Sequence, residues 1–268
     1  LPRRRPHDFL NSELISMRWE TLTTNEVAAL DRDIPVVLNV AAIEQHGPHL
    51  PLETDAVIGD HFLQALEAKL GDKVLILPQV KVCCSEHHMD FPGTLSVRHE
   101  TFLAYVGDIL ESVVRHGFRN IVLFNSHGGN QAIGQVLLET FGTKHRDCRI
   151  AFLTWWRLAA KELGAIRESS FAGINHACEF ETSLMLLGAP KSVRTALVSG
   201  MSYVGTHDWA NADMILPARG ALFRSMHEMS GGTGVVGDPS LATREKGEQI
   251  TAAVVEQLAH VVETIRRR

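Results

Sequence analysis

Short runs of branched apolar residues, each followed by a segment with helical spacing, set the frame for this chain. Ile34 to Val40 (IPVVLNV) is apolar at nearly every position, the pattern of a strand covered on both faces. From Asp55 to Leu70 the period changes. Ala56, Phe62, Leu63, Leu66 and Leu70 recur at helical intervals, and Gly71-Asp72 end the run. The alternation then repeats. Val74 to Leu77 predicts a second strand, His99 to His116 a helix closed by Gly117, and Ile121 to Phe124 a third strand. Gln131 to Phe141 predicts a helix, Arg149 to Leu153 a fourth strand, and Glu179 to Leu187 a helix limited by Pro190. Strands separated by helices of this length pair in parallel, with helices on both faces of the sheet. The fold class is therefore α/β with a mainly parallel sheet. Residues 199–240 break the pattern, being rich in Gly, Ser, Asp and Met with weak periodicity. They predict an irregular excursion over the active-site side, a pocket lid or a subunit contact. An amphipathic helix from about Thr243 to Arg267 closes the chain.

No internal repeat or linker divides the sequence, so residues 1–268 are expected to form one domain, with residues 1–16 a poorly defined N-terminal extension. A net charge of -5 argues against a nucleic-acid surface, and the basic Arg3-Arg4-Arg5 and Arg266-Arg267-Arg268 read as solvated termini. Cys83, Cys84, Cys148 and Cys178 contain no CxxC and are too few for a disulfide framework in this length, which fits a reducing cytoplasm. No apolar stretch approaches the roughly 20 residues that span a bilayer, and no apolar segment follows the basic start as in a signal peptide. The expected partner is a small molecule, with neither nucleic acid nor membrane.

The chemistry concentrates after the strands. Glu44, His46 and Asp55 lie in one loop after the first strand, stiffened by Gly47, Pro48 and Pro51. His127 follows the third strand within Asn125-Ser126-His127-Gly128-Gly129-Asn130. In a parallel sheet both loops leave carboxyl ends of strands and share one rim. Gly128 and Gly129 permit close backbone approach and offer N–H groups to a ligand. Glu179 and Glu181 follow the fourth strand, at the start of a helix. Taken singly, each is an ordinary solvated loop, and His127 beside its glycines equally suits a phosphate-binding turn. Taken jointly, three acid- or His-bearing loops on one rim point to a site for borderline metals such as zinc or manganese. His49, His61, His116 and His145 read as structural. His87 and His88 precede a turn and are placed near the pocket.

These runs carry a family resemblance. Glu44 to Asp55 (EQHGPHLPLETD), Phe91 to Thr94 (FPGT), Ser126 to Asn130 (SHGGN), His176 to Ser183 (HACEFETS) and Gly237-Asp238-Pro239 occur in an order and spacing similar to the creatininase family of metal-dependent amidohydrolases. The resemblance implies a three-layer α/β/α sandwich, two divalent metal ions per chain (zinc or manganese, with iron or magnesium as options) and a homohexamer. It implies that Glu44 and His127 hold one metal, that His46 holds the other and that Asp55 bridges both. Creatininase takes a further ligand from a Glu at the place of Gly129, so Glu179 is expected to supply it here. Glu181 is the second choice, or acts beside the site by orienting a ligand or a lysine. His176 matches the family's catalytic His and is expected to shuttle a proton to a leaving nitrogen. Ser126, Gly128, Gly129, Trp156 and His88 are the expected substrate-binding residues.

The implied reaction is hydrolysis of a C–N amide bond in a small compound, cyclic or open-chain. Phe171 to Asn175 lacks the aromatic-acid pair with which creatininase grips its own substrate, which argues against creatinine itself. An alternative keeps the two metals and opens a cyclic keto-sugar at a C–C or C–O bond. An alternative of another class is a non-catalytic metabolite-binding protein, against which the intact Glu44, His46, Asp55 and His127 set speaks.

Overall fold

The computed structural model describes residues 16–211 and 213–266. The expected extension up to residue 15, with Arg3, Arg4 and Arg5, lies outside the described residues, as do Arg267 and Arg268. In chain order the elements are α1 (Thr24–Ala29), β1 (Val36–Val40), α2 (Thr54–Leu70), β2 (Leu75–Ile76), α3 (His99–Arg115), β3 (Asn120–Asn125) and α4 (Gln131–Lys144). They continue with β4 (Arg149–Thr154), α5 (Trp155–Leu158), α6 (Ala160–Ile166), β5 (Ile174–His176), α7 (Glu179–Gly188), α8 (Met226–Ser230), β6 (Val236–Gly237) and α9 (Arg244–Ile265).

The first four strands form a parallel sheet in the order β2-β1-β3-β4. Alternate side chains go to opposite faces, as the strand period requires. Val37, Val122 and Phe124 pack against α2, α7 and α9, while Val36, Leu38, Val40, Ile121 and Leu123 pack against α3 and α4. Burial on both sides explains why these strands read as continuous apolar runs. The result is the expected three-layer α/β/α arrangement. Among the described residues no helix is long and apolar enough to cross a membrane.

Several short elements escape the periodicity. Helices α1, α5 and α6 are too short to show a helical period; only the Thr23–Glu26 capping box marks α1 in the sequence. The excursion over 199–240 is not wholly irregular. It contains α8, opened by a Ser225–Glu228 capping box, and β6, which pairs antiparallel with β5 apart from the main sheet.

Strand order places the site. From β1 the chain crosses through α2 to β2 on one side, and from β3 through α4 to β4 on the other. Between β1 and β3 the connections diverge, and such a switch point opens a crevice at the carboxyl ends of the strands. Val40 and Asn125, the last residues of the two strands, stand opposite each other in register.

Helices α7 and α9 touch through backbone. A Cβ at Gly247 would lie 2.4 Å from the Ser183 carbonyl oxygen and 3.0 Å from Leu187 Cβ. Alanine would gain up to about 1 kcal/mol of helix propensity, but overpacking against a fixed carbonyl costs about 1–3 kcal/mol. Gly247→Ala is therefore predicted to lower the urea midpoint at unchanged slope; a higher midpoint would contradict this contact.

Candidate metal centre

Three loops are fastened together before any functional side chain is considered. The loop after β1 is held by Glu44 N–H on the Leu52 carbonyl (2.9 Å), Gln45 N–H on Thr94 Oγ1 (3.1 Å) and Leu95 N–H on the Ile43 carbonyl (2.9 Å). Phe91 to Thr94 thus acts as a brace for the acidic loop. Asn130 accepts from Cys84 N–H (3.3 Å) and donates to the Ala41 carbonyl (3.1 Å), tying the segment after β3 to the other two. Asn125 receives His127 N–H and donates to its carbonyl, fixing the backbone at that histidine.

The side chains that converge are Glu44, His46, Asp55, His127, His176 and Glu181, all buried. Asp55, in the first turn of α2, faces two imidazoles. Its Oδ2 is 3.1 Å from His127 Nδ1 and its Oδ1 is 3.4 Å from His46 Nε2. Glu44 Oε2 is 3.3 Å from His127 Nδ1, and Glu181 Oε2 is 3.9 Å from His46 Nε2. Two overlapping groups of metal-ligating atoms result, Glu44–Asp55–His127 and His46–Asp55–Glu181, with Asp55 common to both. Glu44, His46 and His176 form a further such group.

Hydrogen bonds on the far side of each ring set the tautomers. His127 Nε2–H donates to the Cys84 carbonyl (2.8 Å) and His46 Nδ1–H to the Glu44 carbonyl (3.2 Å). A carbonyl can only accept, so in the neutral form of each ring the bare nitrogen is the one that faces the carboxylates, as a metal ligand requires. Glu44 accepts from the Ser85 hydroxyl, and Glu181 accepts from Ala177 N–H at 2.6 Å.

The cluster is starved of positive charge. Burial works to lower His46, but Asp55, Glu181 and Glu44 raise it to about 9; Glu44 and Asp55 likewise raise His127 well above the ordinary imidazole range against its burial. Burial, with Asp55 and Glu44 beside it, pushes Glu181 up to about 8 against the pull of His46. His46 Nε2 and Asp55 Oδ2 are buried without a well-aligned hydrogen bond despite their close neighbours. Imidazole nitrogens and carboxylate oxygens, preoriented and short of cationic partners, fit borderline divalent cations.

The expected residues divide. Glu179 and Glu181 are two positions apart on a helix, about 200° around its axis at 3.6 residues per turn, so only one can face the cluster. It is Glu181; Glu179, the expected metal ligand, turns away from the cluster. Glu179 is bonded to Lys246 Nζ (2.7 Å) and to the N–H groups of Glu168 and Ser169 (both 3.0 Å). The lysine partner expected of Glu181 belongs to Glu179. His176 stands in the cluster with Nε2–H on the Gln45 carbonyl (2.7 Å) and Nδ1 3.6 Å from Glu44 Oε1. Burial and the nearby His46 push it well below its ordinary range.

A cavity of about 230 Å³ opens onto the cluster, lined by Gly128, Trp156 and His88 among others. Ser126 and Gly129 are not part of its lining. Ser126 Oγ is buried beside Asn39 (3.4 Å) and the Val40 carbonyl (3.5 Å). A Cβ at Gly129 would lie 2.2 Å from the Cys84 carbonyl oxygen, so this glycine serves packing. His88 is held by Gln45, whose Nε2 donates to His88 Nδ1 (3.0 Å) while its Oε1 accepts from Gly47 N–H (2.9 Å). Gln45 was not anticipated and had no signal beyond lying between Glu44 and His46. Asp213, Met214, Met226 and Met229 bring the 199–240 excursion into the lining.

A parallel α/β sheet with a buried, doubly grouped carboxylate–imidazole centre at its switch point has the donor set of a divalent-metal site. The family model for creatininase (creatinine amidohydrolase) matches residues 20–262, and the chain belongs to that family. It is 27% identical over 245 residues to creatinine amidohydrolase of Pseudomonas putida, covering 86% of this chain and 89% of that one. It is 29% identical over 231 residues to the mycofactocin precursor peptide peptidase of Mycobacterium tuberculosis (82% and 81%). With 3-dehydro-scyllo-inosose hydrolase of Thermotoga maritima it shares 26% over 267 residues (93% and 84%). Among solved structures, creatinine amidohydrolase superposes with a TM-score of 0.79 at 26% identity over 95% of this chain and 99% of that one. Related creatininase structures are described as Zn-Zn type (TM-score 0.75, 25% identity, 92% and 97%) and Mn (0.76, 26%, 92% and 98%).

Glu179→Gln is predicted to destabilise the fold, because it leaves the buried Lys246 ammonium with only the exposed Glu168 and the Leu241 carbonyl. Breaking a buried pair costs on the order of 3–5 kcal/mol, and partial compensation by Glu168 puts this loss at the lower end. Chemical denaturation measures it.

Proposed function

We propose that this chain is a dinuclear metallohydrolase that opens a C–N amide bond in a small molecule. The observation that carries the reading is Asp55, whose two oxygens address two different histidines on opposite sides. Glu44 and His127 would hold one ion, His46 and Glu181 the other, and Asp55 would be shared. Zinc and manganese suit the donors, and both appear in the names of related creatininase structures. Divalent ions held by these residues would supply Lewis acidity and a nucleophile drawn from water.

The chain's own groups do the rest. His176 has its Nε2–H fixed on the Gln45 carbonyl, which leaves Nδ1 toward the cluster as the atom that takes and returns a proton. Gln45 fixes His88, whose Nε2 lies 3.3 Å from Glu44 Oε1, so that this carboxylate is flanked by a held imidazole. The cavity of about 230 Å³ is below the usual 300–1,000 Å³ of ligand pockets, which favours a small compound. Gly128 lines it with open space where a side chain would project, leaving its backbone accessible to a polarised carbonyl.

Elemental analysis, paired with a hydrolysis screen of cyclic amides, formamides and cyclic keto-sugars, tests the reading. Two ions per chain with cleavage of an amide are expected; a metal-free protein after reconstitution overturns it, and cleavage confined to keto-sugars would move the bond from C–N. Asp55→Ala is predicted to lose both ions, whereas Glu181→Gln should lose one; retention of two by Asp55→Ala would refute the shared carboxylate. His176→Ala is expected to keep its metal content and lower kcat by about 10²–10⁴-fold. Unchanged turnover would remove His176 from proton transfer.

A further inference from the structure

The mouth of the cavity carries a charge that the proposed chemistry does not use. Arg157 lines the cavity immediately after Trp156 and is exposed to solvent. Among the described residues no hydrogen bond or ion pair engages its guanidinium. The acids of the same cavity are already committed. Glu44, Asp55 and Glu181 face the histidines of the metal centre. Asp213, the remaining carboxylate of the lining, is bonded to Arg167 Nη1 at 2.7 Å and accepts N–H groups from Ala172, Ile215 and Leu216. Arg157 is thus the one uncommitted charge among the described residues that line the cavity. Trp156, Met214, Met226 and Met229 supply apolar surface to the same lining.

We infer that Arg157 is a specificity-determining residue that recognises an oxyanion, carboxylate or phosphate, on the substrate, apart from the amide that is cleaved. The inference rests on the hydrolase reading for the amide, and on Arg157 alone for the anion. A guanidinium presents parallel N–H donors that match either oxyanion in bidentate fashion. Thioether side chains accommodate bodies of varied shape, so the anion supplies the orientation that the wall does not.

Binding to the metal-loaded protein tests this without requiring turnover. Dissociation constants are measured by calorimetry, for hippurate against its uncharged amide hippuramide, and for phenyl phosphate against phenol. Wild type should favour at least one anion over its neutral counterpart by roughly 10- to 100-fold, the range of a charge-assisted bond, and lose part of that preference at high salt. Whichever pair shows it distinguishes carboxylate from phosphate. In Arg157→Gln the preference should fall to near unity, in Arg157→Lys it should survive in part, and in Arg157→Glu it should reverse. Metal content and thermal midpoint, measured on each variant, establish that the cavity floor is intact. A wild-type preference below threefold in both pairs, or a preference that Arg157→Gln leaves in place, overturns the inference. The second result would assign anion binding to the metals. An Arg157-dependent preference in a protein that cleaves no amide would sustain the anion site and overturn the amide reading; amide cleavage with no Arg157-dependent preference would do the reverse.

Discussion

Everything at the centre depends on the parallel pairing of β1 with β3. The two strands end level, at Val40 and Asn125, and their onward connections leave in opposite directions. The crevice between those connections receives Glu44 and His46 from one side and His127 from the other. Asp55 enters because α2 begins there, with its first-turn N–H groups favouring a carboxylate. A one-residue slip between β1 and β3 would reverse which side chains face each helical layer, so the core that fixes the register also fixes the ligand geometry.

Bringing three carboxylates into a buried space is unfavourable on its own account. The chain offsets part of that cost with donors that leave the inner face free: the Ser85 hydroxyl on Glu44, Ala177 N–H on Glu181, and ring N–H groups turned outward to backbone carbonyls. Each anchors a ligand from behind. The remaining imbalance shows in the raised proton affinity of His46 and His127, and a divalent cation would relieve it.

Much of this was legible in the sequence, and the divisions have physical causes. The sheet strands and long helices were visible because each is buried on a defined face, which writes a period of 2 or 3.6 into the residues. Family membership was visible because the acidic loop, its Phe91–Thr94 brace and the segment around His127 must keep their order to meet at one rim. The choice between Glu179 and Glu181 was not visible. Helix geometry demands that they diverge, yet which one turns inward depends on where α9 places Lys246, far along the chain. Ser126 and Gly129 were misplaced for a related reason: a motif shows that a small residue is needed, not whether a ligand or a neighbouring carbonyl occupies the space. Arg157 carried no motif at all, and only the committed state of its neighbours singles it out.

The same placement of α9 bears on the order in which the molecule can be completed. Glu181 reaches the centre from α7, and α7 is clamped to α9 by the Glu179–Lys246 pair and the backbone contact at Gly247. During synthesis the sheet from β1 to β4 can emerge and pair while the last helix is still within the ribosome. The second half of the centre must wait for residues 244–265. A nascent or truncated chain would thus present Glu44, Asp55 and His127 without a firmly seated Glu181, so that possession of the full complement of ions would mark a chain translated and folded to its end.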